Sequence, residues 1–236
     1  MSTPDPASRQ RPQADPIVRS GGPAPDLTGI TVAHRAMLAD LGRLAGTAAR
    51  LAAAPAALGR EQAAGIRDYL EQLCDEIHQH HSREDEVLWP LVVSSAGTAV
   101  DLTPFSCDRT ALGPVVDRVH AAARALPTDP ARVIGELADG LAELRDLLQE
   151  YVTAEERDVF PIIGRYVSAA DFHAAERQMT KGISFSHVRW LTSWIECFAT
   201  PAEMRHMLSR APLPFRVLLA LSRHRYAALE QRAFGP

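Results

Sequence analysis

The chain has 236 residues, 46% of them hydrophobic and 23% charged, with a formal net charge of −4 and a pI near 6.1. That length suits one sizeable domain with an appendage, and that charge gives no electrostatic reason to expect nucleic acid or an anionic membrane surface as a partner. Three widely spaced cysteines, Cys74, Cys107 and Cys197, argue against a disulfide framework and suit reduced thiols.

Residues 1–26 hold six of the seventeen prolines and read as a disordered leader. The leader has no apolar core of the signal-peptide kind, and nowhere do about 18 apolar residues run together, so neither a secretory signal nor a membrane span is expected and the cytoplasm is the default. From Leu27 to Val167 apolar residues recur every three or four positions, which predicts four helices. The first runs over 29–53 and stops before Pro55, with Ile30, His34, Leu38, Leu41, Leu44 and Leu51 on its inner seam. The second, 60–93, aligns Ile66, Leu70, Leu73, Ile77, His80, Glu84, Leu88 and Leu91. The third, 109–126, has Asp108 as a candidate N-cap, a seam of Leu112, Val116, His120 and Ala123, and a stop at Pro127. The fourth begins near Pro130 and aligns Ile134, Leu137, Leu141, Leu144, Leu148, Tyr151, Glu155, Val159 and Ile162, with a kink expected at Pro161. The expected fold is all-α: an antiparallel four-helix bundle over 27–167, with additional C-terminal helices over 168–236.

Each inner seam is interrupted by His, Glu or Tyr. A bare buried carboxylate costs several kcal/mol, so something must compensate. Residues four apart on a helix lie about 40° and 6 Å from one another. His80 and Glu84 form such a pair, as do Tyr151 and Glu155. With His34 and His120 they offer six inward donors, and imidazoles mixed with carboxylates suit iron or manganese.

The ordered set of His34, His80 and Glu84 in "HHSREDEVLWP", His120, and Glu155 in "YVTAEERDVFP" resembles the hemerythrin-like HHE cation-binding domains, in the manner of bacterial members with a C-terminal helical extension. The resemblance covers about 30–165. It implies a non-haem diiron site with two iron ions, oxo-bridged or not, in which Glu84 and Glu155 bridge and the histidines are terminal ligands. Tyr151 stands where the family pattern has a histidine. Three readings stay open at this stage: a phenolate ligand, a protonated hydrogen-bond partner that leaves a coordination position open, or a site reduced to one metal or none.

The expected function is therefore a diiron protein that reacts with or senses O2, peroxide or nitric oxide, with no nucleic-acid or membrane partner and no identifiable protein partner. The alternatives are a diiron oxidative enzyme of peroxide-disproportionating or oxygenase type, its pocket completed by the C-terminal helices, and a metal-free helical interaction module. His81 and Asp85, rotated about 100° from the seam, read as outer-sphere or surface groups, with an imidazole-orienting role for His81 plausible. Glu76, Asp75, His78 and Glu86 read as a solvated flank, and Glu156 and Asp158 as surface or supporting residues. Trp89-Pro90 and Phe160-Pro161 read as capping the bundle end, Trp190 and Trp194 as packing, and His173, His187, His206 and His224 as lacking a carboxylate at ligand spacing.

Overall fold

The structure, a computed structural model, describes residues 22–211 and 213–235, apart from the side chains of 103–110, 213 and 214. Most of the expected leader, and the proposed cap at the Asp108 side chain, lie outside the described residues. Those described are helical, with no strand among them, and no helix among them is long and apolar enough to cross a membrane.

Helix α1 (Thr28–Ala53) opens after Asp26, whose carboxylate accepts from the Thr28 backbone N–H at 3.1 Å, and ends before Pro55. Helix α2 (Arg60–Arg83) follows Gly59. The second expected helix is not uniform: α2 gives way to one π turn at Glu84–Leu88 and then to α3 (Trp89–Ala96). The cause is local. Pro90 has no N–H to donate to the carbonyl four residues back, and the Trp89 N–H reaches five residues back to the Glu84 carbonyl.

Helix α4 (Thr103–Ala125) begins at Thr103 rather than at 109, because Pro104 in its first turn pre-sets the helical φ. Helix α5 (Pro130–Asp158) is interrupted at Val159, and α6 (Phe160–Tyr166) continues beyond it, the break that Pro161 predicts. Both prolines stand six residues after a buried glutamate, Glu84 and Glu155. Helix α1 packs on α5, α5 on α4 and α4 on α2. Between them lies a core of leucines from all four, including Leu41, Leu44, Leu70, Leu73, Leu112, Leu141, Leu144 and Leu148.

Four further helices follow: α7 (Ala169–Met179), α8 (Phe185–Phe198), α9 (Pro201–Arg210) and α10 (Leu213–Phe234). Ser168 caps α7 by accepting from the Asp171 N–H, and Thr200 with Glu203 forms a capping box on α9. Helix α8 packs on α1, and α10 packs on α2 and α8. A Cβ at Gly65 would lie 2.5 Å from the Arg232 carbonyl carbon, so α10 sits directly on the α2 backbone there.

The contact layer is polar as well as aromatic. Asp40 of α1, fully buried, accepts from Tyr69 Oη (2.5 Å), Trp194 Nε1 (2.6 Å) and Arg43 (2.9 Å). Tyr69 also meets Tyr226 Oη at 2.8 Å. Burial drives the Asp40 carboxyl pKa up against the pull of those donors. Trp190 and Trp194 stack at 4.9 Å, the packing role expected of them. Glu76 corrects the sequence reading: it is buried, not solvated, and its Oε2 meets His187 Nε2 of α8 at 2.6 Å. A carboxylate partner for His187 exists after all, supplied from 111 residues away.

Candidate metal centre

His34 comes from the second turn of α1, His80 from the last turn of α2, Glu84 from the π turn and Glu155 from the last turn of α5. They meet in the interior, with His34, Glu84 and Glu155 at 2% exposure or less and His80 at 11%. His34 Nε2 lies 3.1 Å from His80 Nε2, 3.7 Å from Glu155 Oε2 and 4.0 Å from Glu84 Oε1. His80 Nε2 lies 3.0 Å from Glu84 Oε1. One donor atom from each of His34, His80 and Glu84 falls within 4.8 Å of the others, the single group among the described residues so placed that it could hold a cation.

The other ring nitrogens are set from outside this cluster. His34 Nδ1 donates to Glu156 Oε1 at 2.9 Å, which leaves a lone pair on Nε2 of the neutral ring. His81, which reads from sequence as peripheral, is 8% exposed, and its Nδ1–H donates to the Ile77 carbonyl at 2.6 Å. Its ring meets Tyr151 edge-on at 5.0 Å and His80 at 5.7 Å. Phe160 lies almost parallel to His34, 5.8 Å away, so the residue before Pro161 covers the cluster as well as the end of the fold.

Burial lowers the His34 pKa below the usual histidine range. Burial also disfavours the His80 imidazolium, but the Glu84 carboxylate more than offsets it and the His80 pKa rises. For Glu84, burial is outweighed by the charge and hydrogen bond of His80, and its pKa falls. Burial and the Glu84 carboxylate thus push the two imidazoles in opposite directions, His34 down and His80 up.

The donor set fits a cation in two respects. Two ligand nitrogens at right angles, each about 2.1 Å from an ion, would lie about 3 Å apart, which is the His34–His80 separation. Glu84 Oε2 is buried with no hydrogen-bond partner among the described residues, a state that costs about 1–3 kcal/mol or more for a charged group.

His120 is not brought to this cluster. It is half-buried beside Val119, and Val119 is level with Gly140 of α5, since a Cβ there would lie 3.1 Å from Val119 Cγ2. Gly140 is eleven residues from Tyr151, about 16 Å at 1.5 Å per residue. In this register the stretch of α4 level with Tyr151 falls near residue 108, where side chains lie outside the described residues. Tyr151 is buried and touches His81. His78, Asp75 and Glu86 are exposed, as expected of a flank, and Asp85 is exposed on the surface.

A family model, the hemerythrin HHE cation binding domain, matches residues 27–163. Neither a curated protein nor a solved structure matches the chain. The matched span takes in α1 to α5 and every residue of the cluster, and the chain belongs to that cation-binding family.

Proposed function

We propose that this member of the hemerythrin HHE family is a non-haem diiron protein that binds or reacts with a small oxidant or diatomic ligand: O2, peroxide or nitric oxide. The matched helices are read as an antiparallel four-helix bundle with the metal centre at one end. The observation that carries the reading is the buried meeting of His34, His80 and Glu84 with their donor atoms within 4.8 Å. His34 and His80 would be terminal ligands through Nε2. Glu84 and Glu155 would use their carboxylates to span two ions. Bound iron would supply the redox and ligand-binding chemistry.

The chain's own contributions are positional and electrostatic. Glu156 fixes the His34 tautomer by accepting from Nδ1, which raises the basicity of Nε2. His80 and Glu84 would hold a cation only in their deprotonated forms, so uptake should strengthen as pH rises. Phe160 and the leucine-rich interior exclude water from the side facing the core.

The test is iron content and thermal stability after anaerobic reconstitution of the full chain with ferrous iron. We expect at least one iron per chain and a rise in Tm, because a ligand that binds only the native state stabilises it. Glu84→Ala should abolish both. Uptake well below one iron per chain, with no change in Tm, would overturn the proposal and leave a metal-free helical module.

A further inference from the structure

We infer that His81 supplies the imidazole that Tyr151 fails to supply, and with Tyr151 forms the second of two cation positions in the interior. The inference deepens the proposed diiron reading and rests on it. Three observations carry it. His81 is buried against Tyr151 and His80 rather than turned to solvent, with ring separations of 5.0 and 5.7 Å. Its Nδ1–H donates to the Ile77 carbonyl, which places the lone pair on Nε2, the atom a metal takes. Glu84 Oε1 lies 3.0 Å from His80 Nε2, and both Glu84 oxygens are buried without a hydrogen-bond partner among the described residues, so Oε2 can serve a second ion while Oε1 faces the first.

Helix geometry separates the two positions. Successive residues on α2 point about 100° apart, so His80 and His81 cannot serve one ion together. His80 faces His34 of α1, and His81 faces Tyr151 of α5. Glu84 lies one turn from His80, and Glu155 one turn from Tyr151. One lobe thus holds two imidazoles, and the other an imidazole and a phenol. The hard oxygen donor makes the second lobe the one that favours a ferric ion.

The test loads ferrous iron into the full chain and its variants, admits air, and reads iron per chain and phenolate-to-iron absorption. The wild type should hold two irons and show the band. His81→Gln should hold about one and lose most of the band, while Tyr151→Phe removes the band outright. In His81→Ala, added imidazole should restore the second iron, a rescue that a merely structural role would not produce; circular dichroism establishes that each variant is folded. Two irons and an unchanged band in His81→Gln overturn this inference and leave the metal centre standing. Equal single-iron loading in wild type and His81→Gln also overturns it. Wild-type protein that takes up no iron instead defeats the proposed function itself.

Discussion

Asp40 is the residue on which the C-terminal helices turn. It is a carboxylate without exposed surface, and it collects donors from three helices: Tyr69 of α2, Trp194 of α8 and Arg43 of its own helix. Removing it leaves the Trp194 indole N–H without its acceptor and the Tyr69 hydroxyl with only Tyr226 as a partner, and each buried group left unsatisfied costs about 1–3 kcal/mol. Asp40→Ala should therefore destabilise the protein by about 3 kcal/mol in urea unfolding followed by tryptophan fluorescence. Trp194→Phe, which removes one donor and keeps most of the packing, should cost about 1 kcal/mol. A loss under 0.5 kcal/mol (roughly, the surface-substitution level) for Asp40→Ala would refute the hub. Sequence alone does not mark this residue. Asp40 precedes Leu41 on a helix of ordinary composition, and its partners lie 29 and 154 residues away. The Glu76–His187 pair is hidden for the same reason. By contrast His34, His80 and Glu84 were legible, because each interrupts an apolar seam at a position where helical spacing points inward. The burial of His81 was not legible, since its 100° offset from that seam suggested solvent, whereas its ring lies against Tyr151 of α5.

At the scale of elements, the helices of the first 167 residues were readable from periodicity and from proline, with α1 almost to the residue. What escaped was the π turn, since a period count assumes a constant pitch and one surplus residue leaves little trace in it. Helix α9 offers a titration test. Glu203 is held to a pKa of about 2, first by the Arg35 guanidinium of α1 and then by the backbone and side chain of Thr200. Its ordinary value is 4.5, so the folded state resists the proton that the unfolded state accepts. That contribution is fully present above pH 4.5 and is lost as pH falls through about 2. Amide exchange in α9 should accelerate selectively across that interval. Arg35→Gln should flatten the response, and an α9 equally protected at pH 5 and pH 2 would contradict the assignment.

For the whole molecule, the metal-binding span and the C-terminal helices share one set of contacts. The polar layer of Asp40, Tyr69, Tyr226 and Trp194 joins α1 and α2 to α8 and α10, and His187 reaches Glu76 one turn from His80. The all-helical class was plain from the absence of strand patterning, but where the last four helices would rest was not, because their seams carry no register signal toward α1 and α2. The seat of α10 has a consequence for descent. Glycine inside a helix costs about 1 kcal/mol against alanine, and Gly65 is tolerated because the Arg232 backbone occupies the space a methyl would need. Gly65→Ala should then carry opposite signs in two forms of the protein: a lower Tm in the full chain, and a higher one in a chain cut before α10. Position 65 would serve as a fossil of the tail, drifting to alanine in any lineage that has shed it.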